Sequence, residues 1–281
     1  MQTQNPKGTL IAIGNHENKK NCAAIFQRII QETGKTNPKM CLFTLAADVP
    51  EQSKFEHQAM FNEVEINDIS VINFHSHTEA DTPENLDKVK NANIILFANG
   101  NQLKLSSLLG GTHLMARIKK RYYNETNFVV AGIGAGAAAM ANTMIVSCNS
   151  TDAMLKGELE LATGLDLISS VFIDTHFAES GRVGCLAQIV TFNAAALGIG
   201  LSQNVAVIIK NNEIEVIGSG LITLVDGTSI TYTNLTEIAH GNHITVEGIK
   251  VHFLGIGKRF SITENKLQLP ITANQLIGIE V

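Results

Sequence analysis

Residues 129–140 read VVAGIGAGAAAM, an apolar run followed by alternating glycines and then small residues. This order predicts a strand that enters a sharp turn and leaves it as a helix, the arrangement of a nucleophile elbow written G-x-S-x-G. The serine at the apex of such a turn attacks a carbonyl carbon. Here the apex is Gly134, which has no side chain. The pattern therefore predicts an elbow without its nucleophile.

Phosphate binding is the main competing interpretation of these glycines. Gly132, Gly134 and Ala137 match the dinucleotide fingerprint G-x-G-x-x-A, but that fingerprint follows the first strand of its fold, and this turn follows roughly the fifth. The chain has no G-x-x-x-x-G-K-[ST] sequence, which excludes a P-loop. Glycine also relieves the strain at an elbow apex, about 1–3 kcal/mol for other residues. The sequence favours the elbow.

A second group of residues invites a metal hypothesis. His75 and His77 are alternate residues near the end of a predicted strand, so their imidazoles would share a face. With Glu79, Asp81 or His16 nearby they could coordinate zinc. A polar loop at the end of a strand explains the same residues more simply. We therefore expect no metal and no other cofactor.

Composition narrows the classes of function. The chain has 281 residues, of which 44% are hydrophobic and 17% charged, and its net charge of -5 argues against a nucleic-acid partner. It has no apolar run of 18 residues and no basic leader, so we expect neither a membrane span nor a signal peptide. The four cysteines lack C-x-x-C spacing, which fits a reducing cytoplasm better than a disulfide framework: Cys22, Cys41, Cys148 and Cys185.

The elements that must position the elbow alternate up to about residue 146. Apolar runs predict strands at 9–14, 40–46, 70–75, 93–99 and 127–132. Helical spacing predicts helices at 21–34, 54–66, 83–92, 103–109 and 112–123. Near-continuous apolar strands separated by helices indicate an α/β fold with a mostly parallel sheet and helices on both faces. Ligands of such sheets bind at the carboxyl ends of the strands.

The alternation weakens after residue 150. A strand at 170–174 and a helix at 181–195 precede five apolar runs in quick succession: VAVIIK, IEVIG, LITLVD, SITYTN and IKVHFLG. The dipeptides Asn211-Asn212 and Asp226-Gly227 favour antiparallel hairpins that extend the sheet. We expect a single α/β domain over residues 1–281 with a β-rich C-terminal third.

Five segments, in order along most of the chain, resemble the cyanophycinases and related peptidase E-type serine peptidases. The family's G-G-A-E-D, F-x-G-G-D-Q and G-T-S-A-G-A motifs correspond to residues 14–18 (GNHEN), 97–102 (FANGNQ) and 132–137 (GIGAGA). Its D-Q-H-F and G-I-D-E-D-T-A motifs correspond to residues 174–177 (DTHF) and 200–206 (GLSQNVA). The resemblance implies the fold of class I glutamine amidotransferases, a flavodoxin-like three-layer sandwich.

The resemblance also implies site residues, and the departures from the family pattern are at the catalytic ones. The nucleophile position is Gly134, the position of the triad acid is Gln203, and only His176 is kept from the triad. In such a triad the hydroxyl attacks, the imidazole takes its proton and the carboxylate stabilises the imidazolium. The substrate-binding positions implied are Asn101, Gln102, Ala135, Asp174, Thr175 and Arg182.

Two further residues bear on the substrate. Cyanophycinases carry arginines after the D-Q-H-F segment that help to bind β-linked Asp-Arg units. Only Arg182 matches them, whereas Ser180 and Cys185 occupy the other positions. Arg182 would either pair with a carboxylate or lie on the surface at the first turn of a helix.

These features predict an inactive pseudo-peptidase that binds a peptide or cyanophycin-like ligand, or regulates a partner. The backbone N–H groups of the elbow would hold a carboxylate or carbonyl oxygen. Relatives are dimeric, so we expect a homodimer, or a heterodimer with an active paralogue. The alternative is a hydrolase of cyanophycin or Asp-containing dipeptides that acts by another route. Ser106, Ser107 and Cys148 do not lie at a strained apex and are poor substitutes for the missing nucleophile.

Overall fold

The structure is a computed structural model that describes residues 5–15, 19–46, 61, 64, 66–175, 177 and 182–268, without the side chains of residues 19–22. Its strands, in chain order, are β1 Thr9–Ile13, β2 Met40–Phe43, β3 Ile69–Ile72, β4 Ile94–Phe97, β5 Val129–Ile133, β6 Thr143–Cys148, β7 Leu159–Thr163, β8 Val171–Asp174, β9 Leu197–Leu201, β10 Val205–Lys210, β11 Glu213–Gly218, β12 Ile222–Asp226, β13 Tyr232–Thr233, β14 Val246–Glu247, β15 Lys250–Leu254, β16 Arg259–Ser261 and β17 Lys266–Gln268.

The helices alternate with the first strands and become sparse after β5. In chain order they are α1 Lys19–Thr33, α2 His77–Ala80, α3 Pro83–Asn91, α4 Gln102–Leu109, α5 His113–Asn124, α6 Ala135–Ala138 and α7 Val183–Phe192. The molecule is therefore a mixed α/β protein. The helix expected at 54–66 lies almost entirely outside the described residues.

A nine-stranded sheet forms the centre of the molecule, in the order β17-β16-β11-β10-β1-β5-β4-β2-β3. The half from β1 to β3 is parallel, and the half from β10 to β17 is antiparallel. Sequence patterning predicted the five parallel strands to within a few residues at their ends, because each is mostly apolar. β10 and β11 form the expected hairpin at Asn211-Asn212, where both residues have positive φ.

The parallel strands are apolar on both faces because both faces are covered. Along β1, Leu10 and Ala12 belong to one buried cluster, whereas Ile11 and Ile13 belong to another. The first cluster includes side chains of α4 and α5, and the second includes side chains of α1. Alternate residues of a strand point to opposite faces, so helices cover the sheet on each side.

The last strands do not all extend this sheet, which corrects the sequence-based expectation. β15, β12, β9 and β8 form a separate four-stranded sheet, in that order. β8 and β9 are parallel, and the other pairs are antiparallel. Of the run SITYTN, only Tyr232–Thr233 is a strand, paired with Val246–Glu247. Hydrophobic alternation marks a strand but does not say which sheet it joins.

The cysteines are not all free thiols, contrary to expectation. Cys148, at the end of β6, forms a disulfide with Cys185 in α7. Cys41 is a buried free thiol, and burial raises its pKa to about 12. The cysteine argument for a reducing compartment therefore does not hold for this pair. Among the described residues, no helix is long and apolar enough to cross a membrane.

Candidate functional site

The predicted elbow lies where several strand ends meet. In the parallel register Ile13 of β1 pairs with Ile133 of β5, so both strands end at the same edge of the sheet. β10 is antiparallel to β1 and begins at that edge, with Ala206 opposite Ile13. Three backbone hydrogen bonds close the junction: Gly134 N to Ile13 O at 2.9 Å, Gly14 N to Val205 O at 2.9 Å, and Asn204 N to Asn15 O at 3.0 Å.

The turn itself has the geometry of an elbow. Gly134, between β5 and α6, has φ 53 and ψ -118, a strained conformation that L side chains rarely adopt. Its carbonyl accepts hydrogen bonds from the N–H groups of Ala137 and Ala138, which starts the helix at once. The flanking glycines are required by close packing, because a Cβ on Gly132 would lie 2.5 Å from backbone atoms of Gly136. The turn thus has the backbone of an elbow with no side chain at its apex.

A side chain that the sequence analysis did not single out covers the apex. Asn99, just after β4, accepts a hydrogen bond at Oδ1 from the Ala135 N–H at 2.9 Å. The same Oδ1 lies 2.2 Å from the position that a Cβ on Gly134 would take. The expectation that this N–H is open to a ligand oxygen is therefore wrong. A signal was present in the motif, since Asn99 occupies the first glycine position of F-x-G-G-D-Q.

Beside the elbow lies a cavity of about 190 Å³. It contains five of the predicted site residues, brought together from the starts of α4, α6 and α7 and the end of β8: Gln102, Ala135, Asp174, Thr175 and Arg182. Apolar side chains of α6, β6 and β8 complete the described lining: Ala138, Ile145, Val146 and Ile173. The structure thus brings five of the six predicted substrate-binding residues to one cavity, and their role in binding stays a prediction.

An ion pair forms one wall of this cavity. Arg182 Nε lies 2.9 Å from Asp174 Oδ2, and the two side chains are 16% and 3% exposed. The angle at these atoms is poor for a hydrogen bond, so the contact is an ion pair rather than an aligned bond. Arg182 is therefore not the free surface arginine considered above. On the opposite wall, the Gln102 side-chain amide donates to Ile145 O at 3.2 Å.

Of three other predicted residues, two do not line the cavity and one is not among the described residues. Asn101 is exposed and caps α4, because its side chain accepts from the Lys104 N–H at 3.0 Å. Gln203 lies in the turn between β9 and β10, half-buried. His176 lies outside the described residues, between Thr175 and Phe177, which are both buried.

The alternative nucleophiles are engaged elsewhere. The hydroxyl groups of Ser106 and Ser107 donate to carbonyls of their own helix, at Leu103 and Lys104. Cys148 has no thiol, because it is in the disulfide. Thr175 carries the one side-chain hydroxyl among the described residues that line the cavity.

The residues considered as metal ligands bond instead to groups of the protein, most of them on the backbone. Glu79 accepts hydrogen bonds from the His75 N–H and the Ser76 hydroxyl, and His77 Nε2 contacts Ser107 O. Asp81 accepts from the first N–H groups of α5, at His113 and Leu114. Within the described part of the chain, no group of three or more His, Cys, Asp or Glu side chains is placed to hold a metal ion. His16 lies outside that part.

Comparison with known proteins finds related sequences and a similar overall fold. Residues 9–217 match the model of peptidase family S51. A cyanophycinase from Geminocystis herdmanii is 28% identical over 256 residues, which cover 91% of this chain and 94% of the relative. A cyanophycinase from Synechococcus elongatus is 24% identical over 263 residues, covering 93% and 81%. The crystal structure of a peptidase from an acI-B1 actinobacterium superposes with a TM-score of 0.67 at 17% identity, covering 92% of this chain and 98% of that one.

Proposed function

The chain belongs to peptidase family S51, and we propose that within this family it is a pseudo-peptidase that binds a peptide without cleaving it. One observation carries the proposal: the elbow keeps its strained backbone at φ 53 and ψ -118, but its apex residue is Gly134. Covalent acyl transfer needs a nucleophile at that point. A fold that retains the turn, the cavity and a buried ion pair without the nucleophile is suited to binding.

The loss of the triad acid supports the same conclusion. Gln203 occupies the position of the carboxylate, and a neutral amide does not offset the positive charge of an imidazolium. The remaining hydroxyl candidates are bonded within α4, apart from Thr175. Thr175 follows β8, whereas the elbow that would present a nucleophile lies between β5 and α6. Two separate catalytic groups are thus missing, which a single chance substitution does not explain.

The cavity favours one residue-sized group of a peptide. Its 190 Å³ is below the 300–1,000 Å³ or so of typical small-molecule sites. Among the described residues, no acceptor bonds the terminal nitrogens of Arg182, so they suit a ligand carboxylate. The Asp174 carboxylate is 3% exposed and already pairs with Arg182, so it holds the guanidinium in place. A β-Asp-Arg dipeptide, which the cyanophycinase relatives suggest, has such a carboxylate.

A turnover assay tests whether activity is lost. Purified protein is incubated with cyanophycin and with β-Asp-Arg dipeptide, and the products are quantified by chromatography. We expect no release above the rate of the His176→Ala variant. Turnover that falls on His176→Ala, or on Thr175→Val, would refute the pseudo-peptidase and establish the alternative, a hydrolase that uses another route.

A binding assay tests the cavity as the ligand site. Ala138 lines the cavity and is 6% exposed, so Ala138→Leu puts three extra carbons into the space. We expect calorimetry to show dipeptide binding to the wild type and at least about a fivefold loss in this variant, since one such steric conflict costs about 1–3 kcal/mol. Ala116→Leu, on the exposed face of α5, is the matched control and should bind normally. Equal affinity in all three proteins would place the ligand elsewhere.

The remaining expectations from the family concern the layering of the fold, the location of the protein and its assembly. We infer a three-layer arrangement like that of class I glutamine amidotransferases, and a homodimer or a heterodimer with an active paralogue. The cytoplasmic location stays an expectation, because the Cys148–Cys185 disulfide is not typical of a reducing compartment. Sedimentation equilibrium of the purified chain, alone and mixed with an active relative, tests the assembly. Masses that stay at 30.3 kDa for this chain in both samples would contradict it.

A further inference from the structure

We propose that the exposed side chain of Asn99 occupies the elbow, where it blocks the adjacent backbone donor and would have to move before a side chain could stand at position 134. This inference does not depend on what ligand the cavity takes. Asn99 lies outside the positions of the catalytic triad. Its presence would explain why a serine at the apex alone would not restore the site.

The geometry places one oxygen atom in two roles. Asn99 Oδ1 is 2.9 Å from the Ala135 nitrogen, at hydrogen-bond distance. It is also 2.2 Å from the ideal Cβ position of residue 134, and Asn99 Cγ is 2.6 Å from it. Real Cβ atoms do not come this close to other heavy atoms. A side chain at position 134 and Asn99 in its present position therefore cannot coexist.

The Asn99 side chain is held at its other end as well. Its Nδ2 donates to Asn15 Oδ1 at 3.4 Å, and that oxygen also lies 2.6 Å from the Cβ position of residue 134. The Asn15 carbonyl in turn accepts from the Asn204 N–H at 3.0 Å. Asn99 is thus part of a polar chain that crosses the edge of the sheet from β4 to β10.

The blocked donor is the important one for catalysis. In an elbow, the N–H of the residue after the nucleophile forms part of the oxyanion hole. Here that N–H belongs to Ala135 and already has a partner within the protein. A ligand oxygen would have to displace a side chain that is permanently present. Losing one oxyanion donor costs about 10²- to 10³-fold in rate.

The test compares two rebuilt elbows that differ only at position 99. Both carry Gly134→Ser and Gln203→Glu, and one also carries Asn99→Gly. Each is treated with a fluorophosphonate, and labelling of the introduced serine is followed by intact mass. We expect labelling at least about tenfold faster with Asn99→Gly, because the oxyanion donor is free. Asn99→Asp keeps an acceptor oxygen and should label as slowly as Asn99. Equal rates with Asn99 and with Asn99→Gly would overturn the proposal.

A second measurement decides the case in which neither rebuilt protein is labelled. In the otherwise unaltered chain, hydrogen exchange of the Ala135 amide is compared between the wild type and Asn99→Gly. We expect exchange at least about tenfold faster in the variant, with the Ala139 amide, which donates to Ala135 O, unchanged. Unchanged exchange at Ala135 would refute the proposal. Turnover by the wild type would contradict the proposed function instead, since exchange is measured without substrate.

Discussion

At the scale of single residues, glycine at the apex of the elbow leaves space that a side chain would otherwise fill, next to the N–H donor of Ala135. In this protein, Asn99 takes both the space and the donor. The glycine at the apex was evident from the motif, since it requires only one position to be read. The contact between Asn99 and Ala135 joins residues 36 positions apart, so only the structure could show it.

The glycines beside the apex should tolerate an added side chain as poorly as the apex itself. A Cβ on Gly136 would lie 2.4 Å from Phe97 O and 2.8 Å from Ala98 O, which are backbone atoms that cannot swing away. We expect Gly136→Ala to reduce the free energy of unfolding by about 1–3 kcal/mol, as overpacking does. Urea unfolding measures it.

Gly255→Ala is the matched control, because a Cβ there has no neighbour within 4 Å. It should leave the unfolding midpoint nearly unchanged. If Gly136→Ala is as stable as Gly255→Ala, the turn is looser than the contacts with Phe97 and Ala98 indicate.

At the scale of elements, the cavity is built from pieces that the disulfide connects. β6 supplies Ile145 and Val146 to one wall, and its last residue is Cys148. α7 begins after Arg182 and carries Cys185 in its first turn. The bond therefore joins the two elements on either side of the cavity. The resemblance places a substrate-binding arginine at the position of Cys185, and in this structure that position carries the disulfide.

Breaking this link should loosen both the fold and the site. The sequence separation of 37 residues corresponds to about 3–4 kcal/mol from loop closure. For a chain of this size we expect reduction by dithiothreitol to lower the melting temperature by about 10 °C and to weaken dipeptide binding.

The control is the double variant Cys148→Ala and Cys185→Ala. It should melt near the reduced wild type and show no response to dithiothreitol. A wild-type melting curve that is identical with and without reductant would show that the bond does not stabilise the folded protein.

At the scale of the whole molecule, an ion-pair network joins the first helix to the antiparallel half of the sheet. Arg28 of α1 pairs with Glu215 of β11 through both oxygens, at 2.8 and 3.1 Å. Lys210 of β10 pairs with Glu32 of α1 at 2.9 Å. Arg259 of β16 adds a contact to Glu215 at 3.1 Å. Helix α1, the β10–β11 hairpin and β16, which are separated from one another in sequence, thus share one set of charges.

This network makes stability depend on pH in a defined direction. The hydrogen bond from Arg28 lowers the pKa of Glu215 below its usual value, despite the opposing effect of burial. A carboxylate whose pKa is lower in the folded state stabilises the fold above its unfolded pKa of about 4.3 and loses this effect as the pH falls. We expect Glu215→Gln to lower the melting temperature by about 2–4 °C at pH 7 and by less at pH 3.

The exposed Glu237 provides the comparison, because it has no ion pair with any described residue. Glu237→Gln should leave the melting temperature the same at both pH values. A Glu215→Gln effect that is as large at pH 3 as at pH 7 would mean that packing, and not charge, is responsible.

The sequence by itself determined the α/β class, the five parallel strands, the elbow and the absence of its nucleophile. These features are local: periodicity and residue type within a few positions decide them. The family motifs in the sequence also contain or adjoin the five predicted residues that the structure places around one cavity. The structure alone decided that β8, β9, β12 and β15 form their own sheet, that Cys148 bonds Cys185, that Arg182 pairs with Asp174, and that Asn99 occupies the elbow. Each of these depends on distances between atoms, often of residues far apart in the chain, and no local pattern encodes them.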